Sequence, residues 1–208
     1  MGFKPRAAFA ADLARIRSAG VEWVRIGPVD SDSNVWRPTA PYLEIEGDLR
    51  CTGNIVVATG KHDFGTVVVS GDVSCRNLVV GSGFFLLCGG GIDASETIIA
   101  TAADSGTYVA GPVKARLLDS GSGAWLKAYD SAQLEGSGLY GYAMVAGRPH
   151  SAASPVDLET VLRSDAIETE EWDSLDDDER IGETRAEYIR VADSAARRIL
   201  GAGGSILR

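Results

Sequence analysis

Apolar and polar residues alternate along the chain between Tyr42 and Asp119, and this alternation recurs in four copies. Each copy is centred on a glycine, with one apolar residue two positions before it and another two positions after it. Successive glycines are separated by 24, 19 and 21 residues, and they are Gly47, Gly71, Gly90 and Gly111. Strict alternation predicts β-strands, and a glycine at a fixed place in each copy predicts a bend with no room for a side chain.

Two further features recur in each copy. A small residue stands four positions after each glycine, and a second apolar run closes the copy, at 55–57, 78–80, 98–99 and 117–118. One such unit cannot bury its own apolar face, so the copies must stack. The pattern predicts a mainly β protein built on a parallel β-helix (β-solenoid) of about 4–6 coils, with equivalent residues about 4.8 Å apart. Two inward columns are expected, one of Ile45, Val69, Cys88 and Val109 and one of Cys51, Cys75, Ala94 and Ala115.

The residues before the repeat predict a helix and an irregular first coil. A helix over residues 6–19 would place Phe9, Leu13 and Ile16 on one face. We expect this short helix to cap an end of the solenoid, where unpaired backbone groups are exposed. Residues 21–29 alternate and predict the first coil.

Segments on either side of the four copies predict loops and terminal coils. Residues 30–41 predict a loop that packs Trp36 on the end of the solenoid. Residues 124–129 and 138–145 still alternate and predict one or two terminal coils. Their aromatic residues favour filling of a widening core, with a ligand groove as the alternative, and they are Trp125, Tyr129, Tyr140 and Tyr142.

The residues after the repeat predict an acidic helical region. Ser154 as N-cap and Pro155 at the first helical position predict a helix to about residue 163. An acidic loop at 169–179 and a second helix at 180–200 follow. We expect this region to fold back on the solenoid or to hold a partner chain. The chain is thus divided into an N-terminal helix with the first coil (1–41), the solenoid (42–147) and the acidic helical C-terminal region (148–208).

Charge is unevenly distributed along the chain. The formal net charge is −9, and residues 154–179 contain eleven acidic residues opposed only by Arg163. Such a protein is unsuited to neutralising nucleic-acid phosphates, whereas its acidic stretch would steer a basic protein partner. The alternative is a solvated face that only keeps the protein in solution. The candidate partner-binding residues are Asp165, Glu168, Glu170, Glu171, Trp172, Asp173, Asp176, Asp177, Asp178 and Glu179, with Trp172 as the apolar anchor.

The apolar residues also bear on the compartment. The sequence has no apolar run near the roughly 20 residues that span a bilayer. Its first nineteen residues include Asp12 and three arginines, and they lack the uninterrupted apolar core of a signal peptide. We therefore expect a cytoplasmic protein with no membrane partner.

The sequence predicts no catalytic, cofactor or metal site. Its three cysteines fall at inward positions, where a free thiol acts as a small apolar residue. Two histidines without a CxxC pair disfavour zinc. His62 lies in a polar insertion between coils with no nucleophile beside it. Asp48 and Asp72 adjoin the glycine bends, where aspartate is common in turns, and two carboxylates are too few for calcium.

Residues 44–49 read Glu-Ile-Glu-Gly-Asp-Leu and residues 68–73 read Val-Val-Ser-Gly-Asp-Val. This motif resembles the β-solenoid repeats of the bactofilin-like, polymer-forming proteins, and especially the solenoid proteins associated with bacterial polymorphic toxin loci. The first resemblance implies end-to-end self-assembly, and the second implies a stoichiometric inhibitor of a toxin. The chain departs from bactofilins in its N-terminal helix and its acidic tail, which we expect to block end-to-end stacking.

Three functional hypotheses follow. The first is a non-enzymatic protein-binding β-solenoid, an immunity-type inhibitor whose partner is a basic protein such as a toxin domain. The second is a self-assembling bactofilin-like scaffold, which would be a homo-oligomer. The third is a carbohydrate-active or transferase enzyme on a β-helix, which a pocket gathering His62 with two or more carboxylates would favour.

Overall fold

The chain forms a parallel β-solenoid of about five turns with a short N-terminal helix and a C-terminal helix, as the repeat predicts. The computed structural model describes residues 5–17, 20–100, 104–120, 124–137, 142–149, 157–181, 183–185 and 188–208. Its helices are α1 (Pro5–Arg17), α2 (Leu158–Val161), α3 (Glu170–Asp173) and α4 (Asp193–Gly201). Its strands are β1 (Val24–Ile26), β2 (Val29–Ser31), β3 (Val35–Trp36), β4 (Tyr42–Ile45), β5 (Leu49–Cys51), β6 (Asn54–Val57), β7 (Gly65–Val69), β8 (Val73–Val80), β9 (Phe84–Cys88), β10 (Ile92–Ala100), β11 (Gly106–Val109), β12 (Val113–Ser120), β13 (Trp125–Ala128), β14 (Ala132–Ser137), β15 (Tyr142–Val145), β16 (Arg148–Pro149), β17 (Ile167–Glu168) and β18 (Arg190–Val191).

The coil has three faces. Strands β1, β4, β7, β9, β11, β13 and β15 pair in that order and form the first face, and β16 pairs antiparallel with β15. Strands β8, β10 and β12 are long, and the pairing register of β10 shifts between Asp93 and Thr97. The first part of these long strands continues β2 and β5 as the second face, and their last part continues β3 and β6 as the third face. Strand β14 pairs with both parts of β12.

The four repeat glycines occupy one corner of successive turns. The amide of Gly71 donates to the Gly47 carbonyl at 2.9 Å, that of Gly90 to Gly71 at 2.9 Å, and that of Gly111 to Gly90 at 2.8 Å. A Cβ on Gly71 would lie 2.8 Å from the Gly47 carbonyl carbon and would overlap the Asp48 carboxyl. The glycine is therefore required by the close approach of one turn to the next, as the repeat predicts.

The predicted inward columns also form. Ile45 pairs in register with Val69, Val69 with Cys88 and Cys88 with Val109, and all four are fully buried. All three cysteines are free and buried. Burial raises the pKa of the Cys88 thiol to about 12 and also raises the pKa of Cys75. The thiols of Cys75 and Cys88 therefore stay protonated at neutral pH and act as small apolar side chains.

The first coil is more complete than the sequence indicates. Strands β1, β2 and β3 pair in parallel with β4, β5 and β6, which confirms an irregular first coil. The prediction of a loop over residues 30–41 is wrong for β2 and β3, because the exposed edges of β5 and β6 pair with this backbone despite its polar residues. Trp36 packs against the core from strand β3 of this coil, whereas we expected it in a loop over the end of the solenoid.

Helix α1 lies along the side of the coil, whereas we expected it over an end. Its predicted face is confirmed, because Phe9, Leu13 and Ile16 all pack inward. They pack on outward side chains of the first face, in a cluster that includes Val68, Leu87, Tyr108 and Tyr129. Outward positions in the middle of this face are apolar and must be covered, which places the helix there.

The tail folds back on the solenoid, as expected, but with less helix. The described part of the first predicted helix is the single turn α2, capped by Asp157, whose side chain accepts from the Glu159 amide at 3.0 Å. The second predicted helix begins only at Asp193, because β18 pairs antiparallel with β17 and buries Ile189 and Val191 on either side of Arg190. This period of two replaces the helical period. Ser154 and Tyr140 lie outside the described residues.

The tail covers the third face. Outward residues Val56, Val79 and Ile99 form one apolar cluster with nine buried tail and strand residues, among them Leu162 and Leu200. A row of buried polar residues runs beside this cluster, namely Asn54, Asn77 and Thr97, which we call the amide ladder. The Asn54 side chain donates to the carbonyls of Leu200 and Gly204, each at 2.8 Å. The Asn77 side chain donates to Asn54 at 3.0 Å, and Arg76 donates to the Gly203 carbonyl.

Candidate functional site

The acidic segment, residues 157–179, is held to the residues that follow it by an aromatic contact. The Trp172 ring lies 5.6 Å from the Tyr188 ring, and the Arg180 guanidinium lies 5.3 Å from the centroid of Trp172. Trp172 is half-buried by these neighbours. The predicted anchor is therefore engaged within the chain and fixes the position of α3.

Arginines from outside the acidic segment neutralise part of it. The sequence suggested that only Arg163 opposes these acids, and Arg163 does pair with Asp165 at 2.8 Å. Folding adds Arg185 and Arg190, which pair with Glu159 at 3.1 Å, Asp173 at 3.7 Å and Glu171 at 2.6 Å. Folding thus offsets part of the predicted local charge by contacts between residues distant in sequence.

Other acids remain available at the surface. Glu168, Glu170 and Asp178 are exposed and form no ion pair with the described residues. Asp176 accepts from the amides of Asp178 at 3.0 Å and Glu179 at 2.9 Å, so it shapes the turn. Glu179 accepts from the Asp176 amide at 3.1 Å, and Asp177 lies 3.8 Å from Arg180.

An exposed isoleucine follows directly after these acids. Ile181 is 77% exposed, the highest value among the exposed large apolar side chains of the described residues. It directly follows Arg180, whose guanidinium group lies over the Trp172 ring. A large exposed aliphatic residue beside solvated carboxylates has the mixed character of a protein-binding surface.

A separate cleft of about 480 Å³ lies at the corner between the third face and the first face. Its polar lining includes His62, Asp63 and Asp104, with Thr59 and Ser82. Two arginines also line it, Arg37 after β3 and Arg197 in α4. Its apolar lining includes Val56, Val79, Phe64 and Phe84. We call this the His62 cleft. The sequence placed His62 in a polar insertion and did not connect it with Asp104, which belongs to a corner two turns further along.

The aspartates beside the glycine bends have the structural role that was expected. Asp48 accepts from the Asp72 amide at 2.9 Å and from Arg50 at 2.6 Å, and Asp72 accepts from the Gly91 amide at 2.7 Å. Each carboxyl therefore links one turn to the next. Within the described ranges, no group of three or more histidine, cysteine, aspartate or glutamate side chains is arranged to hold a metal ion.

The terminal aromatic residues do not share one environment. Tyr129 is buried and meets the Phe9 ring edge-on at 5.8 Å, so it belongs to the contact with α1. Trp125 is 40% exposed. The side chain of Tyr142 and the whole of Tyr140 lie outside the described residues.

Comparison with protein-family models, with curated proteins and with solved structures finds no match. The architecture is that of a β-solenoid repeat protein. The resemblance to bactofilin-like and toxin-associated solenoids rests on the repeat motif and stays a prediction. Among the described residues, every helix is too short or too polar to cross a membrane.

Proposed function

We propose that this β-solenoid is a non-enzymatic protein-binding protein, an immunity-type inhibitor that receives a basic toxin domain on its acidic segment. The observation that carries the proposal is Ile181, which is 77% exposed and follows directly after the acidic segment, where Glu168, Glu170 and Asp178 form no ion pair with the described residues. Charged groups around an apolar anchor steer the encounter, and the desolvated anchor holds the complex together. The proposed partner therefore has a basic surface around an apolar pocket.

The rigidity of the segment supports the same function. Trp172, Arg180 and Tyr188 pack together, and β17 pairs with β18, so the carboxylates lie on a folded support. A surface that is already ordered loses less conformational entropy on binding than a flexible acidic tail does. This favours an interface over a merely solvated stretch.

The test uses as its probe the protein encoded by the gene next to the one that encodes this chain. We expect expression of that protein to arrest the growth of bacterial cells and co-expression of this chain to relieve the arrest. The variant Glu170→Gln/Asp177→Asn/Asp178→Asn should lower the association rate at low salt by roughly tenfold. It spares Asp176, which shapes the turn. Ile181→Ser should instead raise the dissociation rate.

The matched control removes three charges elsewhere. Asp30, Asp32 and Glu46 are exposed and lie in the first turns of the coil, outside the acidic segment. The variant Asp30→Asn/Asp32→Asn/Glu46→Gln should associate at the wild-type rate. Equal association rates for the two triple variants would refute steering by the acidic segment, and a neighbour that neither binds nor arrests growth would refute the immunity role.

A self-assembling scaffold is the second candidate, and one observation favours it. Helix α1 and the tail were expected to block end-to-end stacking, but both lie along the sides of the coil. Strands β1, β2 and β3 have no further strand partner among the described residues. Sedimentation at increasing concentration tests this: growth into long species supports a scaffold, and a constant small species refutes it.

An enzyme of the carbohydrate-active or transferase type is the third candidate. It is supported by the His62 cleft, which gathers His62 with the carboxylates of Asp63 and Asp104. Such a set could supply a general acid and a general base. Release of product from an activated sugar donor that is lost in His62→Ala supports catalysis, and equal rates in both proteins refute it.

A further inference from the structure

We propose that the His62 cleft binds a small polyhydroxylated ligand that carries one anionic group, such as a sugar acid or a sugar phosphate. The cleft shares no residue with the acidic segment, so this binding does not depend on the protein-binding function. It also requires no turnover and would hold for a protein without catalytic activity.

Two arginines give the cleft a cationic end: Arg37, which follows β3, and Arg197, which belongs to α4. The Arg37 guanidinium donates to the Gly201 carbonyl at 3.4 Å, and it forms no ion pair with the described residues. Arg197 lies four residues before Gly201, on the same side of the helix and one turn away. Both line the cleft. Two guanidinium groups that line one cleft suit a carboxylate or a phosphate, whose oxygens accept paired hydrogen bonds.

The other end of the cleft suits hydroxyl groups. Arg37 follows β3, His62 follows β6, Ser82 follows β8 and Asp104 follows β10, so these residues lie in order along successive turns. With about 4.8 Å per turn, the cleft extends over about 14 Å. Asp104, three turns from Arg37, would repel a second anionic group there, and both Asp104 and Asp63 can accept hydrogen bonds from hydroxyls. The ligand is therefore anionic at one end only.

The walls supply the remaining contacts. Phe64 is 64% exposed at the cleft, where its ring can stack on the C–H face of a sugar. Val56 and Val79 form an apolar wall beside it. A volume of about 480 Å³ is within the range of small-molecule pockets and has room for one or two sugar rings.

Isothermal titration of the full chain tests the proposal with four probes: glucuronic acid, glucose 6-phosphate, neutral glucose and inorganic phosphate. At least one anionic probe should bind with a Kd below about 1 mM. Glucose should bind at least about tenfold more weakly. Arg37→Gln should reduce affinity for the anionic probe by roughly tenfold. Arg50→Gln, which removes an exposed guanidinium on the second face, should leave it unchanged.

Phe64→Ala is a second variant that spares the fold, because its ring is mostly exposed. It should also weaken binding several-fold. The proposal is overturned if neither anionic probe binds, if Arg37→Gln binds as tightly as the wild type, or if inorganic phosphate binds as tightly as glucose 6-phosphate. Loss of sugar binding in these variants with unchanged toxin neutralisation would show that the two sites act separately.

Discussion

The first and third faces of the coil are each covered by a segment from outside the repeat, and the two coverings differ in chemistry. Helix α1 lies on the first face, where Asp12 accepts from Lys127 at 3.2 Å and from the Tyr129 hydroxyl, and where Arg17 pairs with Glu44. The tail lies on the third face, with an aliphatic cluster and the fully buried amide ladder. In the described part of the chain neither segment covers the second face, and Arg50, Asp93 and Lys114 are exposed on it.

This difference indicates how firmly each covering is held. The cations in the ion pairs between α1 and the coil are partly exposed, 37% for Arg17 and 30% for Lys127, so water weakens their attraction. Asn54 is fully buried, and without it two carbonyls of the tail would be left without a partner away from water. We infer that the tail unfolds together with the coil, whereas α1 can detach first.

The largest effect should come from breaking the coil on which both coverings rest. Gly71→Ala places a methyl group 2.8 Å from the Gly47 carbonyl carbon, against backbone that cannot move without parting two turns. We expect a loss of roughly 3 kcal/mol or more in the free energy of unfolding, measured by chemical denaturation. Gly60→Ala is the matched control, because nothing lies within 4 Å of its added Cβ. Equal stability of the two variants would contradict the glycine corner.

A smaller but still large effect should follow from removing the link between the third face and the tail. Asn54→Ala leaves the carbonyls of Leu200 and Gly204 without their donor, and we expect a loss of about 2–3 kcal/mol. Hydrogen exchange should increase in residues 189–208 and not in α1. Gln133→Ala, at an exposed position of the second face, should change stability by less than about 0.5 kcal/mol. An effect of Asn54→Ala no larger than this control would show that the ladder does not hold the tail.

Weakening the contact of α1 should have a modest effect confined to the helix. Asp12→Asn removes the charge that faces Lys127 and Arg15, and we expect a loss of about 1 kcal/mol or less. Hydrogen exchange should rise in residues 7–17 and stay constant in the tail. If hydrogen exchange also rises in the tail, the two coverings unfold together, which would contradict the inference that α1 can detach first.

The smallest effect should be the pH dependence of the same contact. Burial acts to raise the pKa of Asp12, but the hydrogen bonds from Tyr129 and Lys127 and the charges of Lys127 and Arg15 hold it below its ordinary value. A lowered pKa means that the carboxylate stabilises the folded state above the unfolded pKa, and that this contribution is lost as the pH falls through the folded pKa. Wild type and Asp12→Asn should therefore differ at pH 7 and converge as the pH falls below the ordinary pKa of an aspartate. A difference that grows on acidification would have the wrong sign.

The coil was predictable from the sequence because its determinants repeat. The glycine corner and the column through Ile45 and Val69 depend on neighbouring turns that carry the same pattern, so one turn indicates the next. The residues of the amide ladder also hold one place, directly before the second apolar run, in the first three of the four copies, whereas the fourth copy has Arg116 there. That signal was present and was missed, because one polar residue beside an apolar run has the appearance of an ordinary strand boundary.

The candidate sites were less predictable. The sequence found the acidic residues and Trp172, but it did not show that Arg185 and Arg190 neutralise several of them. It also did not show that Asp104 lies in one cleft with His62. Both arrangements join residues of different turns or segments that share no period, and their spacing in sequence gives no measure of their distance in space.

The sequence by itself determined that this protein is a coil of stacked strands with a helix before it, because alternation and a steric requirement for glycine act between adjacent residues and adjacent turns. It also determined which faces need a cover, since outward positions such as Val68 and Val79 are apolar whereas those of the second face are polar. Only the tertiary structure decided which segment covers which face. That choice depends on buried donors such as Asn54 meeting carbonyls about 150 residues away, and no local preference encodes such a meeting.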